Sequence, residues 1–326
     1  MKDIVSIVQL WDEMEKSAVP GVLATIVDVT GSHYRRPGAR MLLAEDNRAA
    51  GSVSGGCMVA DLKEHAAQVL RSGTPSLVSY DTSKEEDLVY GTGMGCGGVV
   101  ELLLEPTASE STRRLMTILG DCLQTRNRYK MATVYGAPEN GSITPGDRVF
   151  LFPDGGIRST LHRDAITDMI VRDLQALSFT AKPRGKTYTV ADGKVTTLLE
   201  VLRPPLALLV FGAGDDAKPL VAMAKTLGWQ VTVADHRADF AAPRRFPSAD
   251  SVLLVDNAHI DEKLNLSQHE AVVIMTHNYF QDRLLLQQVL LSDVPYIGLL
   301  GAAKRSERIL EEIKQAGLKV TDAQYA

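Results

Sequence analysis

The last third of the chain alternates apolar runs of strand length with helix-like segments, and this pattern constrains the fold most. The apolar runs are LALLVFG, VTVAD, SVLLVD, AVVIMTH and YIGLLG. Runs without polar alternation are typical of strands buried on both faces, as in a parallel sheet that helices cover on both sides. The pattern therefore predicts a doubly wound α/β domain of about five βα units, with a helix after each strand.

A pair of prolines marks where this domain begins. Pro204 and Pro205 stand directly before the first apolar run, and proline continues neither a helix nor a central strand. We therefore predict an N-terminal domain at residues 1–203 and a C-terminal, Rossmann-like domain with a parallel sheet at residues 204–326.

The N-terminal region contains a weak internal repeat. The stretch ATIVDVTGSHYRRPGARMLL starts at Ala24 and resembles ATVYGAPENGSITPGDRVFLF, which starts at Ala132; Arg40 matches Arg148 at the same offset of 108 residues. Each copy continues into a helical pattern and then into an apolar strand that ends before a proline. We predict an α/β domain built by a degenerate internal duplication.

Two of the three cysteines lie in glycine runs that only the first copy contains. Residues 51–57 read GSVSGGC, and residues 91–98 read GTGMGCGG. In the second copy STLHRDA replaces the first run, and the interval that would hold the second run is about ten residues shorter. Since the scaffold does not require these loops, we expect both to serve a ligand.

The composition of the loops favours an anionic ligand. Successive glycines let backbone N–H groups form a concave anion site, which the helix predicted after GSVSGGC strengthens. A cysteine at a helix N-terminus has a lowered pKa, so Cys57 is a candidate reactive or metal-facing thiol, or else a small buried residue in a tight turn. A packing role is the alternative for Cys96, and Cys122 is expected to be inert. The candidate ligand-binding residues are Ser54, Gly55, Gly56, Cys57, Gly95, Cys96 and Gly97.

The C-terminal domain carries a candidate nucleotide site. The segment VFGAGDDAKPL joins the first strand to a helix, with Gly212 and Gly214 in the turn and Ala217 where a third glycine is often replaced. Asp235 ends the next strand, where a carboxylate can accept a hydrogen bond from a ribose hydroxyl. These four residues predict a site for NAD(P) or another nucleotide.

Other charged groups leave alternatives open at this end of the sheet. Asp215 and Asp216 would oppose a pyrophosphate and are typical of helix caps. His236, His277 and Asp282 could form a polar cluster, although isolated histidines in such loops more often lie at the surface. Three basic residues that could meet an anion or simply face solvent begin the last helix: Lys304, Arg305 and Arg308. No Ser-His-Asp or Cys-His pair can be placed, so no catalytic residue is predicted.

Charge and cysteine content limit the partners and the compartment. A net charge of −5 argues against a nucleic-acid partner, which normally requires clustered Lys and Arg. The N-terminal stretch MKDIVSIVQLWDEMEK predicts an amphipathic helix rather than a signal peptide or a membrane anchor. Three cysteines without a C-x-x-C pair fit a reducing compartment, so we expect a cytoplasmic protein without a membrane partner.

Taken together, these motifs resemble the XdhC/CoxI family, the accessory proteins of xanthine dehydrogenase. The resemblance covers both cysteine loops and, in the C-terminal domain, FGAGDDAKPL, GWQVTVADHR, RFPSAD, MTHNYFQD and YIGLLGAAKRSER. It implies an N-terminal α/β domain followed by a Rossmann domain. It further implies a homodimer that binds the molybdenum cofactor, keeps it safe while a cysteine desulfurase sulfurates it, and delivers it to the large subunit of a xanthine dehydrogenase-type molybdoenzyme.

The resemblance also implies roles for the two cysteines. Cys57 matches the cysteine of the family's GGC motif and would face the metal, and Cys96 matches the cysteine of the GCGG motif. The chain departs from the family pattern at Val59, where Glu is usual, and at Asp215, where His is frequent. An NAD(P)-dependent oxidoreductase is the main alternative function, and an interaction subunit without a ligand is a third.

Overall fold

The computed structural model of the chain describes residues 2–55, 58–81, 97–139, 142–161, 165–318 and 320. These residues form two compact units, of which one is Asp3–Pro204 and the other contains the chain from Pro205 onward. None of the helices in this described part is long and apolar enough to cross a membrane.

The first unit contains two five-stranded antiparallel sheets with the same strand order. The first repeat consists of α1 (Lys2–Ser17), β1 (Gly21–Gly31), β2 (Arg40–Ala44), β3 (Ala49–Gly51), α2 (Val59–Ser72), β4 (Ser76–Asp81) and β5 (Gly98–Pro106). The second consists of α3 (Glu110–Thr125), β6 (Tyr129–Gly136), β7 (Arg148–Leu151), β8 (Ile157–Ser159), α4 (Ala165–Ala176), β9 (Arg184–Val190) and β10 (Gly193–Leu202). Their orders are β3-β2-β1-β5-β4 and β8-β7-β6-β10-β9, so the repeat predicted from the sequence is confirmed as a repeat of structure.

Side chains alternate between the two faces of each strand, so each sheet contacts two different cores. Ala24 of β1 faces a core that includes Leu62 of α2, and an equivalent core lies between α4 and the second sheet. Leu23, the neighbour of Ala24, faces the opposite core, which α1 and α3 share with Met131 and Phe150 of the second sheet. The two repeats are therefore packed around one common core.

Two buried ion pairs join the repeats reciprocally. Arg40 of the first repeat pairs with Glu200 of the second, and Arg148 of the second pairs with Glu105 of the first. Both contacts are bidentate, with Nη1 to carboxylate distances of 3.1 Å for Arg40 and 2.8 Å for Arg148. All four side chains are buried. Because the arginines hold equivalent positions, each repeat supplies the partner that the other requires.

The second unit is a parallel sheet with helices on its faces. Its main elements are β11 (Ala207–Phe211), α5 (Ala217–Thr226), β12 (Gln230–Asp235), β13 (Ser251–Leu254), β14 (Ala271–Ile274), α6 (Tyr279–Val289), β15 (Tyr296–Leu299) and α7 (Ala303–Gln315). The strand order is β13-β12-β11-β14-β15, and every neighbouring pair is parallel. This order confirms the predicted Rossmann-like, doubly wound domain.

The connections around β13 differ from the prediction. The segment between β12 and β13 holds only the 3-10 turn Pro243–Arg245, and the segment between β13 and β14 holds only Ile260–Glu262 and Leu266–Gln268. Pro243 and Pro247 remove backbone donors and interrupt α-helical hydrogen bonding in the first of these segments. The expectation of a helix after every strand is therefore wrong at these two places.

Candidate functional site

In the second unit, the loops after β11 and β14 meet where the strand order reverses, which is the usual ligand crevice of this fold. The Nε2 atom of His277 lies 2.6 Å from the carboxylate of Asp216 and joins the two loops. Gly212 has a φ of +108°, and a Cβ atom added there would lie 2.4 Å from the carbonyl oxygen of Met275. Close packing between the loops thus accounts for this glycine.

Replacing Gly212 with alanine should destabilise the second unit by more than about 1–3 kcal/mol, because the strain of a positive φ is combined with a backbone clash. Gly317→Ala is the control in the same unit, since Gly317 has a φ of +96° and no atom within 4 Å of an added Cβ. Urea unfolding measures both losses. Equal losses would contradict the role assigned to loop packing.

The carboxylate predicted to bind ribose is already bonded within the protein. Asp235 is 2% exposed and accepts hydrogen bonds from the Ala213 N–H at 2.8 Å and from Arg237 Nη2 at 2.7 Å. Burial acts to raise the pKa of Asp235, but the hydrogen bonds from Arg237 and Ala213 bring it below its ordinary value. A ribose hydroxyl would have to compete with the guanidinium of Arg237 for these oxygens.

The acidic turn before α5 pairs with basic side chains rather than capping the helix. Asp215 lies 2.7 Å from Lys218 and 3.0 Å from Arg245. The side chain of Asp216, at the N-cap position, makes no capping hydrogen bond among the described residues and bonds His277 instead. The capping interpretation is therefore wrong for Asp216.

Gly214 and Ala217 also lie within the packed turn. A Cβ atom added at Gly214 would lie 2.5 Å from the carboxylate of Asp216. Ala217 is fully buried in the core below α5. Contacts inside the unit thus require a small residue at Ala217, whereas at Gly214 movement of the Asp216 side chain could relieve the contact; the binding role of both residues stays a prediction.

The predicted cluster of His236, His277 and Asp282 has separate partners. Asp282 is fully buried and bonds the backbone N–H of Thr276 at 3.2 Å and Arg305 at 2.7 Å. His277 bonds the carboxylate of Asp216, as described above. The interpretation of Arg305 as a solvated helix charge is consequently wrong, because this residue neutralises a buried carboxylate.

His236 lies at the same end of the sheet. Its Nδ1 atom lies 3.5 Å from the Asp235 carboxylate and 3.4 Å from the side-chain nitrogen of Asn257. No group of three or more His, Cys, Asp or Glu side chains among the described residues could hold a metal ion.

In the first unit, the predicted cysteine site can be located through its flanking residues. Gly56, Cys57, Gly95 and Cys96 lie outside the described residues. Helix α2 begins at Val59 with Met58 at its N-cap position and without a side-chain cap. Its first-turn amides therefore receive no acceptor from the N-cap side chain, and they follow directly after the GSVSGGC run, as expected for an anion site at a helix N-terminus.

The described residues of the two loops differ in what surrounds them. Ser54 is buried, and its carbonyl oxygen accepts a hydrogen bond of 2.7 Å from the Ser52 hydroxyl. At Gly55 and Gly97 an added Cβ would meet no atom within 4 Å. Contacts within the described part of the protein thus do not require a glycine at Gly55, and at Gly97 only the φ of +66° favours one.

The second repeat has a cavity beside the start of α4 and the turn between β9 and β10. The cavity has a volume of about 450 Å³, and its lining includes Ala165 at the start of α4 and Asp192 in the turn between β9 and β10. Ala165 is the counterpart of Cys57 at the offset of 108 residues. Residues 191–192 join β9 to β10, whereas residues 82–97 join β4 to β5. The cavity therefore lies beside the elements whose counterparts in the first repeat adjoin the cysteine loops in the sequence.

A pair of carboxylates near these loops was missed by the sequence analysis. Asp28 of β1 lies directly opposite Glu101 of β5, and both side chains are partly buried. Burial and the charge of Asp28 raise the pKa of Glu101 above its usual value. At the equivalent place in the second repeat, Gly136 lies opposite Thr196, so comparison of the repeats could have revealed the pair.

Replacing Glu101 with glutamine should make the protein more stable than the parent at pH 7. Because the folded state raises the pKa of Glu101, it binds this proton more tightly than the unfolded state, and the stability that the proton contributes is lost as the pH rises above 4.5. Asp28 and Tyr135 are the titratable groups acting on this side chain, and Ser79 lies opposite it on β4. Urea unfolding from pH 4 to 8 checks this; a gap between variant and parent that does not widen with pH would contradict it.

Two family models match the chain. The model of the XdhC and CoxI family matches residues 15–81, and the model of the XdhC Rossmann domain matches residues 208–326. A probable xanthine dehydrogenase subunit of Bacillus subtilis (strain 168) is 29% identical over 310 residues, which are 92% of this chain and 85% of that protein. The molybdenum cofactor insertion chaperone PaoD of Escherichia coli (strain K12) is 23% identical over 297 residues, 91% of this chain and 71% of that protein.

The fold is similar to a solved structure over nearly its whole length. A crystal structure described as a xanthine dehydrogenase from Bacillus halodurans is 29% identical, with a TM-score of 0.77, and the match covers 97% of this chain and 87% of that chain. The similarity in sequence and in structure thus extends across both units.

Proposed function

Because the chain belongs to the XdhC and CoxI family, we propose that it binds the molybdenum cofactor, protects it and delivers it to a xanthine dehydrogenase-type molybdoenzyme. The similarity to PaoD, which is named a molybdenum cofactor insertion chaperone, supports this proposal. The observation that carries it is the difference between the repeats: the cysteine loops are additions to the first, and the second has a cavity beside the elements that correspond to the ends of these loops.

The chemistry of the first repeat suits such a cargo. Molybdopterin carries a phosphate, a dithiolene and an oxidisable metal. The uncapped N-terminus of α2 offers backbone N–H donors to the phosphate. Cys57 stands directly before this helix, where a thiolate is favoured, and thiolate is a soft ligand for the metal or its exchangeable sulfur. Gly55 and Gly97 allow the backbone to approach the ligand closely.

The alternative of an NAD(P)-dependent oxidoreductase has less support. Gly212 of its predicted site is required by loop packing, and the carboxylate of Asp235 is held by Arg237. The Asp216 to His277 contact joins the two loops that would have to receive a pyrophosphate. We therefore propose that the second unit contributes no nicotinamide chemistry.

The proposed role leads to proposals about the protein's partners and its location in the cell. A carrier of this kind acts with a cysteine desulfurase, which supplies the sulfur, and with the large subunit of the molybdoenzyme, which receives the cofactor. We propose a homodimer that acts in the cytoplasm, where the free thiols of Cys57 and Cys96 stay reduced.

Gel filtration of the purified protein with released molybdenum cofactor, and separately with NADH, tests the function. We expect the cofactor to elute with the protein and to resist oxidation by air longer than the free cofactor, while NADH elutes separately. Retention of NADH without retention of the cofactor would overturn the chaperone proposal in favour of the oxidoreductase.

A further inference from the structure

The hydroxyl of Tyr135, from the second sheet, lies near the carboxylate pair of the first sheet. Tyr135 of β6 is 7% exposed and packs between the sheets with Val27, Leu103 and Leu198. Leu103 stands two residues after Glu101 on β5, so both side chains are on the face of the sheet that packs against Tyr135. The three polar groups of Asp28, Glu101 and Tyr135 therefore lie at one place between the sheets.

Burial and the two carboxylates raise the pKa of Tyr135 to about 12. The hydroxyl consequently stays protonated at neutral pH and remains a hydrogen-bond donor. A Cβ atom added at Gly185 would lie 3.2 Å from this hydroxyl, so glycine leaves space beside it.

The cluster has no protein partners to explain it. Within the ranges that the structure describes, no residue forms a hydrogen bond or an ion pair with the side chains of Asp28 and Glu101 or with the Tyr135 hydroxyl. Directly opposed side chains on antiparallel strands have Cβ atoms about 4.5–5.5 Å apart, and like charges at that spacing are destabilising. The arrangement thus costs stability, which a bound ligand would recover.

The position of the cluster connects it with the cysteine loops. The strands β1 and β5 run from Asp28 and Glu101 to Gly31 and Gly98, where an added Cβ at Gly31 would lie 2.9 Å from the carbonyl oxygen of Gly97. Gly97 is the last residue of the segment that joins β4 to β5 and that contains Cys96. The carboxylates, like the loops, are absent from the second repeat.

We propose that Asp28, Glu101 and Tyr135 recognise the aminopyrimidinone edge of the pterin ring, an inference that rests on the proposed function. This edge presents amino and ring N–H donors beside a carbonyl acceptor. The carboxyl groups of Asp28 and Glu101 accept from the donors, and the hydroxyl of Tyr135 donates to the carbonyl oxygen.

Binding of 6-hydroxymethylpterin, which has the ring but neither phosphate nor dithiolene, tests the proposal through its fluorescence. We expect Asp28→Asn and Tyr135→Phe to weaken binding by about tenfold to a hundredfold, as loss of hydrogen bonds to a ligand does. Glu101→Ala should weaken binding by a similar factor. Glu101→Gln should restore most of the affinity, because the amide keeps one donor and one acceptor. Thr196→Val, at the counterpart of Glu101 in the second repeat, is the matched control and should bind as the parent does.

The same variants are tested with intact molybdenum cofactor and with Mg²⁺. If the parent retains the cofactor but not the pterin, or if Asp28→Asn binds the pterin as well as the parent, the pterin site is overturned while the chaperone function stands. If the parent binds Mg²⁺ but not the pterin, and Asp28→Asn no longer binds Mg²⁺, the pterin site is overturned in favour of a cation site. If the parent retains neither the cofactor nor the pterin, the proposed function fails together with this inference.

Discussion

Replacing Arg148 with methionine should lower the free energy of unfolding of the first unit by about 3–5 kcal/mol, the usual loss when one partner of a buried ion pair is removed. Arg148 and Glu105 are both fully buried, and the guanidinium also bonds the Ser111 hydroxyl at 2.9 Å and the Gly146 carbonyl oxygen at 3.1 Å. Methionine leaves the carboxylate of Glu105 without a counter-charge in the core between the repeats.

The measurement is urea unfolding at pH 7 followed by circular dichroism. The double variant Arg148→Met with Glu105→Leu should recover much of the loss, because no unpaired charge remains. Arg48→Met is the exposed control; Arg48 pairs with Asp46 and Glu13 at the surface, where water screens the charges, so a much smaller loss is expected there. A loss for Arg148→Met that is no larger than the loss for Arg48→Met would contradict the account of the repeat interface.

Replacing Cys57 with alanine should weaken retention of the molybdenum cofactor by more than about tenfold. Loss of a group that merely supports a metal ligand commonly costs about 10–100-fold in affinity, so loss of a thiolate ligand should cost at least as much. The measurement is the molybdenum content of the protein peak after gel filtration, over a range of protein concentrations.

Cys122 provides the matched control for this substitution. It is buried in α3, its Sγ atom donates to the Asn127 carbonyl oxygen at 3.1 Å, and burial with the charge of Asp121 raises its pKa to about 12. Cys122→Ala should therefore retain the cofactor as the parent does. Equal retention by the Cys57→Ala variant would remove this thiol from the mechanism while leaving the glycine loops to be tested.

The sequence predicted the larger features because each depends on a local pattern. Strand-length runs that are apolar on both faces indicated a parallel sheet, and the repeated Pro-Gly-x-Arg segments indicated an internal duplication. The extra connection between β4 and β5 was also visible as a difference in length. Helices around β13 were predicted wrongly, because alternation of strands does not say how short a connection can be and Pro247 interrupts helical hydrogen bonding soon after Pro243.

Pairings between distant side chains could not be read from these patterns. The Pro-Gly-x-Arg motif marked Arg148, but nothing near it in the sequence indicates that Glu105 is its partner. Spacing placed Asp235 correctly at the end of a strand, yet not the bonds that Arg237 makes to it. Asp28 and Glu101 look like solvent-facing charges in their strands, and only the comparison with Gly136 and Thr196 distinguishes them.

Transfer of the cofactor to a cofactor-free xanthine dehydrogenase-type enzyme tests the central claim most directly. The protein is loaded with molybdenum cofactor, freed of unbound cofactor by gel filtration, and mixed with the apoenzyme in air. We predict that enzyme activity appears with the loaded protein and not with an equal amount of free cofactor kept in air for the same time. Activity that is the same with and without the protein, or a loaded protein that carries no molybdenum, would contradict the account.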